Sequence, residues 1–254
     1  MTGRVAPRRI AQTAAVVLCA VVVKLHYSTA GADELRWILA PTAAAVGAVS
    51  GARFEFEHHA GYVNGDRSFV IAASCAGVNF LIASFLMLSL MRLWGGRARE
   101  TAWRFIPCAA LAAYLATLSA NTVRISAALS TRGLRAEAGW LSPGGLHRLE
   151  GVFIYFGFLL LLFGAAERLS HAGGPSSGHA SGLFRRPLFP LLIYYATTLG
   201  VPLLNGAYRR GADFREHALF VLLTPLILTL PLAALRLYRF HRGGRRAVEA
   251  DIGG

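Results

Sequence analysis

Seven long apolar runs, separated by charged or glycine-rich stretches, restrict the possible folds of this chain more than any other feature. The runs occupy residues 10–27, 36–50, 76–91, 105–121, 150–166, 188–204 and 217–235. Most are close to the roughly 20 residues that an α-helix needs to cross a bilayer. Of the 254 residues, 55% are hydrophobic and only 15% are charged, against about 25% charged in soluble domains. The pattern predicts an all-α, polytopic bundle of six or seven transmembrane helices, forming a single membrane domain over 1–254.

The run 36–50 is the weakest of the seven, because it is short, rich in alanine and glycine, and contains Pro41. If it spans the membrane, Arg4, Arg8 and Arg9 lie on the outer side. If it is re-entrant or interfacial, six spans are left and these arginines lie on the cytoplasmic side. The positive-inside rule favours six spans.

The net charge of +13 comes from 25 arginines and one lysine set against 13 acidic residues. In a soluble protein such an excess would suggest a nucleic-acid partner. Here the arginines cluster between the apolar runs and at both ends, which is typical of loops held against anionic lipid headgroups. We therefore expect the lipid bilayer as a partner and no nucleic acid. The basic stretches 92–104, 168–186 and 236–246 fall on one side if the spans alternate, and that side is predicted to be cytoplasmic.

The opposite side receives the stretch RFEFEHHAGYVNGDRSFVIAAS, residues 53–74, which ends where the run 76–91 begins. Its first residues alternate in polarity, and Asn64–Gly65 is a turn signal between aromatic and β-branched residues. The stretch predicts a short extracytoplasmic hairpin or loop.

Three chemically active side chains fall at the outer ends of different apolar runs. Cys75 lies at the start of 76–91, Arg124 at the end of 105–121 and His147 at the start of 150–166. Because consecutive spans alternate in direction, all three are expected at the same membrane face, whichever count of spans is correct.

These residue types together suit nucleophilic chemistry at a carbonyl group. A free thiol has a pKa near ~8.5, and a helix N-terminus and a nearby cation both lower it. Histidine transfers protons near neutral pH, and arginine holds an oxyanion or a carboxylate. Backbone N–H groups after Cys75 could complete an oxyanion hole. Gly77 would let a substrate backbone approach, and Asn121 would cap its helix or orient Arg124.

Each of these residues also has an ordinary interpretation. Cys75 could be a small hydrophobic residue, Arg124 could extend to lipid headgroups, and His147 could be interfacial or a helix cap. A second class of function is a multi-pass transporter that binds an anionic ligand through Arg124, which would place polar groups near the bilayer midplane. A third is an assembly factor without catalytic activity.

Other reactive side chains receive structural interpretations. Cys19 and Cys108 lie within apolar runs, and we expect them to pack there. Lys24 is expected to extend outward to the interface.

Glu55, Glu57, His58 and His59 suggest a metal site, but adjacent histidines do not share one face of a strand or helix. A thiol nucleophile needs no metal, so the sequence predicts no metal and no cofactor.

The motifs SCAG at 74–77 and NTVRI at 121–125, followed by a histidine before the next apolar helix, resemble those of the exosortases and archaeosortases. These are multi-pass membrane cysteine enzymes, and the stretch CAGVNFL is most similar to the exosortase K branch. The resemblance covers about residues 50–165. This chain has SCAG where CSG is more frequent in the family, so we assign no role to the side chain after Cys75.

The resemblance implies a peptidase or transpeptidase in a bacterial inner membrane, with its active site on the extracytoplasmic face. Its substrates would be exported proteins that end in a short motif, a transmembrane helix and a basic tail. The resemblance makes Cys75 the nucleophile that forms a thioester, His147 the general acid and base, and Arg124 the group that stabilises the thiolate or oxyanion. Asn121 would be a supporting residue.

Overall fold

Each of the seven predicted apolar runs contains a helix in the computed structural model of the chain. The structure describes residues 5–94, 102–131, 143–172, 188–200, 203, 215 and 218–231, with side chains described for 7–94, 103–131, 149–170 and the residues from 188 onward in that set. In chain order the helices are α1 (Val5–Thr29), α2 (Arg36–Ser50), α3 (Val78–Trp94), α4 (Ala102–Ser130), α5 (Pro143–Ala172), α6 (Leu188–Tyr195), which continues as a π-helical turn (Ala196–Gly200), and α7 (Ala218–Pro231).

Four of these helices, α1, α3, α4 and α5, are long and apolar enough to cross a membrane, and they indicate membrane association. The described parts of α6 and α7 are shorter, with between 10 and 17 residues each. Helix α2 has 15 residues, which corresponds to about 22 Å of helix against a hydrocarbon core of about 30 Å. The prediction of a mostly helical protein is confirmed, and four helices among the described residues are candidates for crossing a membrane.

Helices α4 and α5 extend beyond the apolar runs from which they were predicted. Helix α4 continues past Asn121 and Arg124 to Ser130, so neither residue lies at its end. Asn121 and Arg124 are both buried, and polar groups that find partners inside the bundle do not interrupt the backbone hydrogen bonds of the helix. Helix α5 begins at Pro143, well before residue 150, because proline is favoured in the first turn of a helix.

A small antiparallel sheet precedes α3. Its strands β1 (Phe54–Glu57), β2 (Gly61–Asn64) and β3 (Val70–Ile71) lie in sequence order, with Phe54 opposite Asn64 and Tyr62 opposite Ile71. The predicted hairpin is therefore present, but as part of a three-stranded sheet. The Asn64–Gly65 pair lies in the connection from β2 to β3, where Asn64 Oδ1 accepts the Phe69 N–H at 2.8 Å.

The sheet is attached to the connection between α1 and α2 by one carboxylate. Asp33 Oδ1 lies 2.8 Å from His58 Nδ1, and Asp33 Oδ2 accepts the His59 backbone N–H at 2.8 Å. The hydrogen bond from the His59 backbone, followed by the contacts with the two imidazoles, lowers the pKa of Asp33 below its ordinary value. Arg67 also forms an ion pair with Glu57 across the sheet. These contacts hold the sheet against the end of the bundle.

Two hydrophobic clusters meet at the start of α3. One lies among α3 to α7 and contains the fully buried Met87, Phe156 and Leu159. The other joins α2, the sheet and the first turn of α3, and includes Ile38 and Ile71. The residues that connect β3 to α3 therefore lie at the junction of both clusters.

Candidate functional site

Cys75 lies in a tight turn between β3 and α3. The turn is a short 3₁₀ helix, Ala73–Cys75, in which the Cys75 N–H donates to the Ala72 carbonyl at 2.8 Å. Gly77 follows with a φ of 67°, and its carbonyl accepts the first backbone hydrogen bond of α3, from Leu81 N–H at 3.1 Å. The thiol is partly buried. Cys75 thus precedes α3 by a turn of its own, which differs from the predicted position at the first residue of the helix.

The Asn121 side chain leaves no room for a side chain at Gly77. A Cβ added to Gly77 would lie 2.6 Å from Asn121 Oδ1 and 2.8 Å from Nδ2, both well inside van der Waals contact. The positive φ of Gly77 is also unfavourable for any residue with a side chain. The Asn121 amide therefore fills the space on this side of the glycine, and the approach of a substrate backbone to Gly77 stays a prediction.

Asn121 holds the turn that carries the cysteine. Its side chain is fully buried; Nδ2 donates to the Ala76 carbonyl at 2.9 Å, and Oδ1 accepts from the Tyr155 hydroxyl at 2.6 Å. Sequence reasoning proposed that Asn121 caps its helix or orients Arg124. The structure gives it a different role, because α4 continues to Ser130 and the amide bonds to the residue after Cys75.

Arg124 lies next to the thiol. Its side chain is only 7% exposed, and its guanidinium lies close enough to the Cys75 thiol and the Tyr155 hydroxyl to interact electrostatically with both. The guanidinium carbon also lies 5.4 Å from the centre of the Tyr155 ring. The arginine side chain passes close to α5 at Gly151, where an added Cβ would be in ordinary van der Waals contact with Arg124 Cδ, at 3.8 Å. The structure therefore brings together two of the three predicted catalytic residues.

His147 lies on α5, in the first turns after Pro143, and its side chain falls outside the described residues. By helical periodicity His147, Gly151 and Tyr155 succeed one another at intervals of four residues along one face of α5. Gly151 on that face packs against Arg124. The backbone thus places His147 one turn before Gly151, on the face of α5 that Gly151 and Tyr155 share.

A cavity of about 300 Å³ opens beside this cluster. Its lining comes from α1, the cysteine turn, and helices α3 to α7. It includes Tyr27, Ser74, Gly77, Asn79, Arg124 and Tyr155 among otherwise mostly apolar residues. An apolar cavity with a few convergent polar groups is typical of sites for small groups or short peptide segments.

Two tyrosines of the site were not recognised from the sequence. Tyr155 contacts both Asn121 and Arg124, and Tyr27 lies on the cavity wall. The Lys24 ammonium, which was expected to extend outward to the interface, donates to Asn79 Oδ1 at 2.7 Å and lies 5.4 Å from the Tyr27 ring centre. A lysine within an apolar run was the available signal, since such residues usually have a partner. Tyr155 gave no signal beyond its spacing from His147.

The other two cysteines lie away from this cluster. Cys19 and Cys108 are exposed on the surfaces of α1 and α4, so the expectation that they pack inside the bundle is wrong. In a membrane both surfaces would face lipid or a partner.

The histidines of the sheet interact with an acid. His58 and His59 both contact Asp33, while Glu57 pairs with Arg67. Among the residues that the structure describes, no three His, Cys, Asp or Glu side chains are grouped so that they could hold a metal ion.

Comparison with models of protein families, with curated proteins and with solved structures finds no match to this chain. The resemblance to the exosortases rests on the short motifs around Cys75, Arg124 and His147. The function is therefore argued from the geometry of these residues.

Proposed function

We propose that this chain is a membrane-embedded cysteine peptidase or transpeptidase with Cys75 as its nucleophile. The observation that carries the proposal is the position of the buried Arg124 guanidinium beside the Cys75 thiol, next to a cavity. Placing a permanent cation inside apolar helices costs free energy unless it has polar or anionic partners. A thiolate beside it would offset that cost, and the thiolate is the reactive form of cysteine.

The reaction would begin when the Cys75 thiolate attacks the carbonyl carbon of a peptide bond in the substrate. A bond forms between Sγ and that carbon, and negative charge develops on the carbonyl oxygen. Arg124 would stabilise this charge, together with N–H groups at the start of α3, which have no acceptor within the helix. When the C–N bond breaks, the amine leaves with a proton and a thioester is left on Cys75.

His147 would supply the proton to the leaving amine and remove one from the group that attacks the thioester. An amine acceptor would give a new amide bond, and water would give a free carboxylate; either restores the thiol. Both outcomes use the same residues, so the class of acceptor decides between transfer and hydrolysis.

The proposed substrate is an exported protein with a C-terminal sorting signal: a short motif, a transmembrane helix and a basic tail. A cavity of about 300 Å³ between spanning helices suits a few residues of extended chain next to such a helix. We place this site on the extracytoplasmic face of a bacterial inner membrane, with six spans and α2 at the interface. Its 15 residues fit that position better than a full crossing.

The test is co-expression of the chain with an exported reporter that ends in such a signal. With Cys75→Ala the reporter is expected to keep its C-terminal helix, as measured by the intact mass of the reporter. Cys108→Ala is the matched control, because Cys108 is an exposed cysteine on another helix. Processing that persists in Cys75→Ala would overturn the proposal.

A second candidate is an anion-binding transporter, which the position of Arg124 inside α4 and on the cavity wall favours. Lys24 near the same cavity would add a second cation. This alternative expects Cys75→Ser to retain transport and Arg124→Gln to lose it, whereas the peptidase loses activity in both variants.

A further inference from the structure

We propose that Tyr155 is a positioning residue for Cys75 that acts through Asn121. The inference rests on the proposed role of Cys75 as the nucleophile. It concerns a residue that the family resemblance does not mark, on a helix distant in sequence from the cysteine.

A continuous path of hydrogen bonds connects α5 to the cysteine turn. The Tyr155 hydroxyl donates to Asn121 Oδ1 at 2.6 Å, and Asn121 Nδ2 donates to the Ala76 carbonyl at 2.9 Å. Ala76 directly follows Cys75 and its peptide group is part of the turn. Three separate segments of the chain are thus joined by two hydrogen bonds.

The Ala76 carbonyl determines which way the Asn121 amide points, and the Tyr155 hydroxyl holds the amide from its other end. An amide side chain has a donor end and an acceptor end, and only the donor end can bond to the Ala76 carbonyl. Reversing it would place Oδ1 against the Ala76 carbonyl oxygen, where two acceptors repel. With the hydroxyl bonded to Oδ1, the amide is held in the orientation that supports the turn.

Tyr155 also contacts Arg124, the residue beside the Cys75 thiol. Its ring stacks on Phe80 of α3 with centres 5.3 Å apart, and the Arg124 guanidinium carbon lies 5.4 Å from the ring centre. The hydroxyl also interacts electrostatically with that guanidinium. Tyr155 therefore sets the distance between the cysteine turn and the arginine, since it contacts one through Asn121 and the other directly.

The test separates the hydroxyl from the ring. Tyr155→Phe keeps the stacking on Phe80 and removes only the interactions that the hydroxyl makes. Tyr114→Phe is the matched control, because the Tyr114 hydroxyl also donates to a single group, the Trp37 carbonyl at 2.8 Å, away from the cysteine turn. Both variants are made in a background in which Cys19 and Cys108 are serine, so that iodoacetamide reports on Cys75 alone.

We expect Tyr155→Phe to lower the rate of Cys75 alkylation about fivefold, the effect of losing one net hydrogen bond. Tyr114→Phe should leave the rate within about twofold of the parent. With the reporter substrate, kcat should fall by a similar factor while KM changes little, because the ring still lines the cavity. An unchanged rate in Tyr155→Phe, or an equal fall in Tyr114→Phe, overturns the proposal.

A double-mutant cycle gives a second test. Asn121→Ala removes the intermediate group, so Tyr155→Phe should lower the alkylation rate by a smaller factor in that background than in the parent. Independent, multiplicative effects of the two substitutions would contradict the path through Asn121.

If Tyr155→Phe does not fold, Asn121→Ala is compared with Thr122→Ala, because the Thr122 hydroxyl donates within α4, to the Leu118 carbonyl at 2.8 Å. Equal rates in that pair would overturn the proposal.

The alkylation measurement needs no substrate, so it can fail independently of the proposed function. Processing retained in Cys75→Ala would reject the peptidase, while the dependence of Cys75 reactivity on Tyr155 would still be measured.

Discussion

Replacing Gly77 with alanine is expected to destabilise the folded protein by about 2 to 5 kcal/mol, more than most single substitutions. Two costs add at this position. The φ of 67° places a side chain in the left-handed region, at about 1 to 2 kcal/mol. The new Cβ would also lie 2.6 Å from Asn121 Oδ1, which forces the buried amide to move and break its hydrogen bonds, at about 1 to 3 kcal/mol.

Two other glycines separate these costs. Gly51 has a φ of 73° with no atom within 4 Å of an added Cβ, so Gly51→Ala measures the left-handed backbone alone. Gly157 lies within α5 with open space around it, and Gly157→Ala should stabilise by up to about 1 kcal/mol through helix propensity. We therefore expect the order Gly77, Gly51, Gly157 from the most to the least destabilising.

The assay is equilibrium unfolding in detergent, followed by circular dichroism, with Cys75 alkylation measured on the folded fraction. Gly77→Ala should also slow alkylation, because the displaced amide no longer holds Ala76. Adding Asn121→Ala should restore part of the lost stability by removing the clash. Equal destabilisation by Gly77→Ala and Gly51→Ala would refute the reasoning, since it would mean that Asn121 does not fill the space above Gly77.

Two further predictions concern charged groups. Arg124→Gln should slow Cys75 alkylation and lower kcat about 10²- to 10³-fold, as expected for loss of an oxyanion donor; an unchanged rate would exclude Arg124 from the site. The lowered pKa of Asp33 predicts stability that is complete above the ordinary carboxyl pKa of 3.8 and lost as pH falls through the lower folded value. Unfolding curves between pH 3 and 6 should show this loss in the parent and not in Asp33→Asn.

The helices were predictable because membrane insertion depends on local hydrophobicity. All seven apolar runs contain a helix, since an α-helix satisfies the backbone groups of an apolar run within the run itself. The ends of α4 and α5 were not predictable in this way. From the sequence alone, Arg124 is expected at the membrane interface. Only its proximity to Cys75 and Tyr155 explains why the helix continues past it.

The residues that meet at the candidate site were predictable from the sequence, but the contacts that hold them in place were not. Alternation of spans placed Cys75 and Arg124 at the same face without any knowledge of packing. Asn121 was recognised as a supporting residue, but its partners Ala76 and Tyr155 depend on the rotation of α4 and α5 about their axes. A single sequence carries no direct record of that rotation, so Gly77 was assigned to substrate access rather than to Asn121.

The most direct measurement of the central claim is mass spectrometry of the Cys75 peptide after incubation with the reporter substrate and rapid acid quenching. A thioester mechanism predicts a substrate-derived acyl group on Cys75. Neutral hydroxylamine should remove this group, as it removes a thioester, and the group should accumulate when the acceptor is withheld. The adduct should be absent from the peptides of Cys19 and Cys108. Cleaved reporter without any acyl group on Cys75, or an adduct on another residue, would contradict the account.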